Sequence, residues 1–211
     1  MKYKLITVVG TRPELIRLSS IIKNLDVNFD HILIHTNQNF DKNLKHVFFK
    51  DLGIKKPKYD LNIKSNNAIE TISKIFIKIN EILDKEKPDA FFVLGDTNSS
   101  LSAIVAKKKK IPIFHYEAGN RCFDQRVPEE INRKLVDHIA DINLTYSNFA
   151  RENLLREGFA PDRTFNIGSP LGEVIQSNIK KINNSNILKK INLDEKDYFL
   201  VSFHRQENVD D

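Results

Sequence analysis

Short β-rich apolar runs alternate with longer stretches of helical periodicity along the whole chain, and that alternation decides the class of fold. The strand candidates are Tyr3–Val9, His31–Thr36, Ala90–Leu94, Ile111–Glu117, Ile142–Tyr146, Thr164–Ile167 and Tyr198–Phe203. Helical patterns lie near Glu14–Leu25, Asp41–Leu52, Ala68–Glu86, Ser99–Lys109, Glu129–Ala140, Asn148–Gly158 and Leu171–Lys180. Strand and helix repeated at this spacing make βαβ units, and such units build a parallel sheet with helices on both faces. Phe91-Phe92-Val93-Leu94 is apolar without a break, as a strand covered on both faces must be. The expected class is therefore α/β, a doubly wound parallel sheet.

Composition narrows the rest. A chain of 211 residues suits one large domain, or one domain and part of another. With 40% apolar and 29% charged residues it is neither a disordered tail nor a collagen-like repeat. Cys122 is the only cysteine, so no disulfide closes within the chain and a reducing compartment fits. No apolar run is long enough to span a membrane. Lys2 and Lys4 precede the run Leu5–Val9, but that run is too short for a signal peptide, and Thr11-Arg12-Pro13-Glu14 follows in place of a cleavage site. A cytoplasmic protein with no membrane partner is expected.

The formal charge of +5 would suit a nucleic acid or a small anionic substrate. The lysines are dispersed, and the run Lys107–Lys110 closes a helical pattern, where cations complement the helix dipole. There is no tryptophan and no aromatic residue interleaved with the basic ones, so no nucleic-acid partner is expected. The stretch Lys180–Lys190 is polar and Asn-rich and reads as a linker or boundary loop. Only one strand candidate follows it, which is too little for a domain. The chain is expected to stop early in a second α/β domain.

In doubly wound sheets ligands bind beyond the carboxyl ends of the strands. Four of those ends carry ionisable residues: Gly10-Thr11-Arg12-Pro13-Glu14, Gly95-Asp96-Thr97-Asn98, the group His115, Glu117, Gly119 and Arg121, and His204-Arg205-Gln206-Glu207-Asn208. Each has a structural reading. In the first, the turn, cap and dipole roles account for every residue but Arg12, and an arginine beside a helix N-terminus suits a diphosphate. Asp96 could serve as an N-cap. Alternation along the strand places His115 and Glu117 on one side and Phe114 and Tyr116 on the other. Pro128-Glu129-Glu130 opens a helix, where acids favour the dipole. Four such ends on one edge argue for an active site. The CxxC, HExxH, GxxxxGK[ST] and GxGxxG patterns are all missing, so neither a metal site nor an ATP or nicotinamide cofactor is supported. Carboxylates, a histidine and arginines without a cofactor suit acid/base chemistry on an anion.

Five motifs, in order, carry a family likeness: Gly10-Thr11-Arg12-Pro13-Glu14, Gly95-Asp96-Thr97, His115-Tyr116-Glu117-Ala118-Gly119-Asn120-Arg121, Pro128-Glu129-Glu130-Ile131-Asn132-Arg133 and His204-Arg205-Gln206-Glu207-Asn208. Together they resemble the non-hydrolysing UDP-N-acetylglucosamine 2-epimerases. The wording from Glu117 to Glu130, with Asp137–Leu144, is most similar to the UDP-N-acetyl-L-fucosamine synthase branch. Two positions depart from the family. Thr36-Asn37-Gln38-Asn39 stands where Thr-Gly-Gln-His is usual, and Phe203 stands where many members have Gly. Asn37 tolerates the left-handed conformation that Gly would adopt.

The resemblance implies two Rossmann-like domains of GT-B type with the UDP-sugar between them. Residues 1–167 would form the first domain, and 168–211 the interdomain segment and the opening of the second. It implies epimerisation at C2 by elimination and re-addition of UDP, without a cofactor. Asp96, Glu117, Glu129 and His204 map onto catalytic positions. Arg12 and Arg17 map onto nucleotide- and phosphate-binding positions, with Asp96, Glu117 and His204 also touching substrate. It further implies a homodimer, a role in capsule or O-antigen precursor supply, and no turnover by a chain lacking the second domain. A GT-B glycosyltransferase and an inactive nucleotide-binding fragment are the rival readings.

Overall fold

The computed structural model describes residues 2–37, 48–63, 65 and 67–201. It divides into two compact units, Met1–Val174 and Ile175–Asp211. In the first unit the strands are β1 (Lys4–Val9), β2 (Asp30–His35), β3 (Tyr59–Asp60), β4 (Ala90–Leu94), β5 (Ile113–Ala118), β6 (Ile142–Thr145) and β7 (Thr164–Asn166). Among the described residues they form one sheet in the order β3-β2-β1-β4-β5-β6-β7. Every pairing is parallel, so all carboxyl ends share one edge. The strand order reverses between β1 and β4, which makes their boundary the switch point of a Rossmann-like sheet.

Helices α1 (Arg12–Asn28), α2 (Ala68–Glu86), α3 (Ala103–Lys108), α4 (Pro128–Ile139) and α5 (Asn148–Arg156) cover the sheet. Alternation sorts the strand residues between two cores. Ile6, Val8, Phe91 and Val93 pack with Ile75, Ile79, Ile82 and Leu83 of α2 and with Val136 of α4. Leu5, Val9, Phe92 and Leu94 pack with Leu15, Leu18 and Ile22 of α1. Ile75 and Ile79 are fully buried, and each such side chain stabilises the fold by roughly 1.5–3 kcal/mol relative to exposure. Lys107 and Lys108 sit in the last turn of α3, where their charge complements the dipole.

The strands expected from the apolar runs are present in this unit, with ends displaced by a residue or two. The two-residue β3 was not expected. Of the helix expected at Asp41–Leu52, residues 48–52 are helical and 41–47 lie outside the described residues.

The second unit departs from expectation twice. The stretch read as a loop at Lys180–Lys190 is largely helical. Helix α6 (Leu171–Asn183) runs into it, and α7 (Ile187–Lys190) follows. Ile175, Ile179 and Ile182 recur at helical spacing along α6 and support it in spite of the polar residues between them. Tyr198–Val201, the described part of the last strand candidate, is unpaired backbone with Phe199 and Leu200 exposed. A strand exists only against a pairing partner, and the described part of this unit contains none.

Candidate active site

The carboxyl edge beside the β1–β4 switch point is built from tight backbone contacts. A Cβ on Gly10, just past β1, would lie 2.0 Å from Ser99 Oγ, and Ser99 Oγ meets Thr36 Oγ1 at 2.7 Å. Only glycine lets the ends of β1, β2 and β4 approach this closely. Asn37 follows with φ of 60°, the left-handed conformation its short polar side chain permits.

Glu14 joins the first loop to the third. Its carboxylate accepts from Gly10 N at 2.9 Å, Thr11 N at 2.7 Å and Thr11 Oγ1 at 2.7 Å, and from Thr97 Oγ1 at 3.1 Å. Burial pushes this carboxyl up from 4.5 to about 7, against the pull of those four donors. Between pH 4.5 and 7 the folded chain therefore holds a proton that the unfolded chain has released. Stability on this account is greatest below that window and falls as pH rises through it. Urea unfolding across the window should show that slope, and Glu14→Gln should flatten it; an unchanged slope in the variant would assign the effect to another group.

Glu117 sits at the end of β5, but not on the face that alternation predicts. Its φ is +68°, and the register between β5 and β6 shifts between Tyr116 and Ala118. This bulge rotates one residue out of the pleat. His115 is consequently separated from Glu117: it is fully buried, with Nδ1 2.9 Å from Asp137 and Nε2 2.9 Å from the Gly95 carbonyl oxygen. Glu117 instead accepts from Arg17 Nη1 of α1 at 2.5 Å and from the Tyr146 hydroxyl at 3.5 Å. Burial raises its carboxyl above the usual range, and Arg17 opposes that rise. A carboxylate moved toward neutrality is better matched to proton transfer.

Asp96 is not an N-cap, because the next helical turn begins only at Ser100. Its carboxylate is paired with the Arg133 guanidinium of α4. Asp96 and Glu117 thus lie at neighbouring strand ends, each with its own arginine. Arg12 is exposed in the first turn of α1, and Glu129 is exposed in the first turn of α4. His204 lies outside the described residues.

Several motif residues serve as scaffold for these groups. Asp137 gathers His115, Arg121 Nη1 at 2.7 Å and the Gly119 amide at 3.3 Å, and Arg121 continues to Glu157 at 2.6 Å. Gly119 has φ of +76°, and a Cβ there would sit 2.2 Å from the Ala150 carbonyl oxygen. Of the two acids that open α4, Glu130 is buried and Glu129 is exposed. Arg133 and Tyr146 had no assigned role in the sequence reading. For Arg133 the signal is its spacing, three residues after Glu130, which stacks the two on one helical face.

A family model for UDP-N-acetylglucosamine 2-epimerase matches residues 23–211. The chain belongs to this family. The structure of the UDP-N-acetylglucosamine 2-epimerase from Rickettsia bellii superimposes with a TM-score of 0.93 at 52% identity, covering 99% of this chain and 56% of that one. The Methanocaldococcus jannaschii UDP-GlcNAc 2-epimerase, solved with UDP-GlcNAc and UDP, matches with a TM-score of 0.91 at 44% identity, over 99% of this chain and 58% of that one. The UDP-2,3-diacetamido-2,3-dideoxy-D-glucuronate 2-epimerase of Pseudomonas aeruginosa is 37% identical over 99% of this chain and 59% of its own length. The chain thus spans a little over half the length of these epimerase-family relatives. Among the described residues, no helix is long and apolar enough to cross a membrane.

Proposed function

We propose that this chain supplies the first half of a UDP-N-acetylhexosamine 2-epimerase site. The observation that carries the reading is the pair of carboxylates, Asp96 and Glu117, each held by a guanidinium at the switch-point edge of a chain in this family. The C2 proton of a UDP-sugar is not next to a carbonyl, so direct removal is slow. Elimination avoids this: a base takes the C2 proton, the C1–O bond to UDP breaks, and a 2-acetamidoglycal forms. UDP then adds back to C1 while an acid protonates C2 from the other face. The scheme needs a base, an acid and cations for the leaving diphosphate.

In this reading Asp96, Glu117, Glu129 and His204 carry the proton transfers, and Arg12 and Arg17 hold the diphosphate. Asp96, Glu117 and His204 also touch the sugar nucleotide. Residues 1–167 form the first Rossmann-like domain, and 168–211 lead into the second half of a GT-B-like enzyme. The active form is a cytoplasmic homodimer that supplies precursors for capsule or O-antigen. The wording from Glu117 to Glu130 favours UDP-2-acetamido-2,6-dideoxy-L-talose, converted to UDP-N-acetyl-L-fucosamine, over the UDP-GlcNAc/UDP-ManNAc pair.

The test is proton NMR in D2O on a panel of UDP-HexNAc sugars. The protein expressed from its own gene should place deuterium at C2 of the product, with no need for NAD or a divalent metal. The 211 residues alone should not turn over, because half of the cleft that excludes water would be missing. Transfer of the sugar to an acceptor without C2 exchange would make the protein a glycosyltransferase.

A further inference from the structure

We infer that Arg133 is a positioning residue for the proposed epimerisation, tying the Asp96 carboxylate to the buried Glu130 and so fixing its aim; the inference rests on the proposed function. The chain of contacts begins in the loop between β5 and α4. Cys122 N donates to Glu130 Oε2 at 3.2 Å, and Phe123 N donates to Glu130 Oε1 at 3.3 Å. Arg133 Nη1 donates to Glu130 Oε2 at 2.5 Å, and Nη2 donates to Asp96 Oδ2. The guanidinium Nε is buried without a hydrogen-bond partner among the described residues, so the two Nη groups make the bridge. One residue earlier, Asn132 Nδ2 donates to the Asp96 carbonyl oxygen at 2.9 Å and to Asn98 Oδ1 at 3.1 Å.

Helix α4 therefore holds Asp96 by main chain and side chain at once. A side chain fixed at both ends loses the freedom to rotate away from the reacting carbon, and correct aim contributes directly to rate. Guanidinium is a planar fork that spans two carboxylates, whereas the ammonium of lysine is a single point charge. The rival role for Arg133 is purely structural: it neutralises Glu130, which is buried in the first unit.

The experiment separates the two roles in the protein expressed from its own gene. Arg133→Met should lower kcat on the order of 10²-fold while KM changes little. Arg133→Lys should remain slow. Arg133→Ala should recover part of kcat when guanidinium ion, but not methylammonium, is added to the assay. The double variant Glu130→Gln/Arg133→Met removes the buried charge along with its partner, so its melting temperature should recover while kcat stays low. If kcat recovers together with melting, Arg133 serves only the fold. If the wild type exchanges C2 and Arg133→Met matches it, the positioning role falls and the proposed function stands. If the wild type shows no C2 exchange on any UDP-HexNAc, the proposed function fails and takes the positioning role with it.

Discussion

Asp137→Ala is expected to destabilise the chain by about 3–5 kcal/mol, the usual cost of removing one partner from a buried ion pair. The carboxylate and the Arg121 guanidinium are both fully buried, and Asp137 also serves His115 and the Gly119 amide. Removing it leaves two basic side chains and an amide without the carboxylate they share. Glu157 still holds the far end of Arg121, which limits the damage on that side. Urea unfolding of the wild type and the variant measures the difference. A cost below about 1 kcal/mol would mean that the motif residues around Asp137 do not brace the strand end, since surface substitutions cost no more than that.

The second large effect is on rate. Glu117→Gln, Asp96→Asn and Glu129→Gln should each lower kcat by on the order of 10²-fold or more in the protein expressed from its own gene. That corresponds to roughly 2.7 kcal/mol of transition-state stabilisation in each case. The amides keep shape and most hydrogen bonds but cannot move a proton. Near-normal epimerisation by all three variants would overturn the assignment. Glu117→Gln also removes the negative charge that Arg17 faces, so the loss of kcat should be read beside the binding of UDP. A change confined to UDP affinity would make Glu117 a holder of Arg17 rather than a proton-transfer group.

Much of the fold is legible in the sequence because burial on both faces leaves a plain mark. Phe91–Leu94 admits no polar residue, and Ile75, Ile79 and Ile82 recur at helical spacing. The common edge of Arg12, Asp96 and Glu117 follows once every strand is parallel. What alternation cannot supply is the direction of Glu117. It assumes an unbroken pleat, whereas the backbone turns to positive φ at that one residue. The pairing of His115 with Asp137 escapes for a related reason: the partners come from a strand and a helix, and no short-range spacing connects them. Glu129 and Glu130 show the same limit on a smaller scale. Both suit a helix start, but their different burial depends on the loop that folds over Glu130. Tyr59–Asp60 is too short to register as a periodic run.

The strand order also carries a consequence for how the molecule assembles. β1 pairs with β2, which follows it closely, and with β4, which does not; the amide of Lys4 reaches Asp89 across 85 residues of chain. Closing so long a loop costs entropy before any contact is gained, which makes this pairing a slow step. The same closure brings Glu14 to Thr97 and Gly10 to Ser99. With β1 paired to β2 alone, Gly10 can still meet Thr36, but the contacts of Glu14 with Thr97 and of Gly10 with Ser99 are missing. The closure that joins β1 to β4 is thus the same one that brings the first and third loops together at the carboxyl edge.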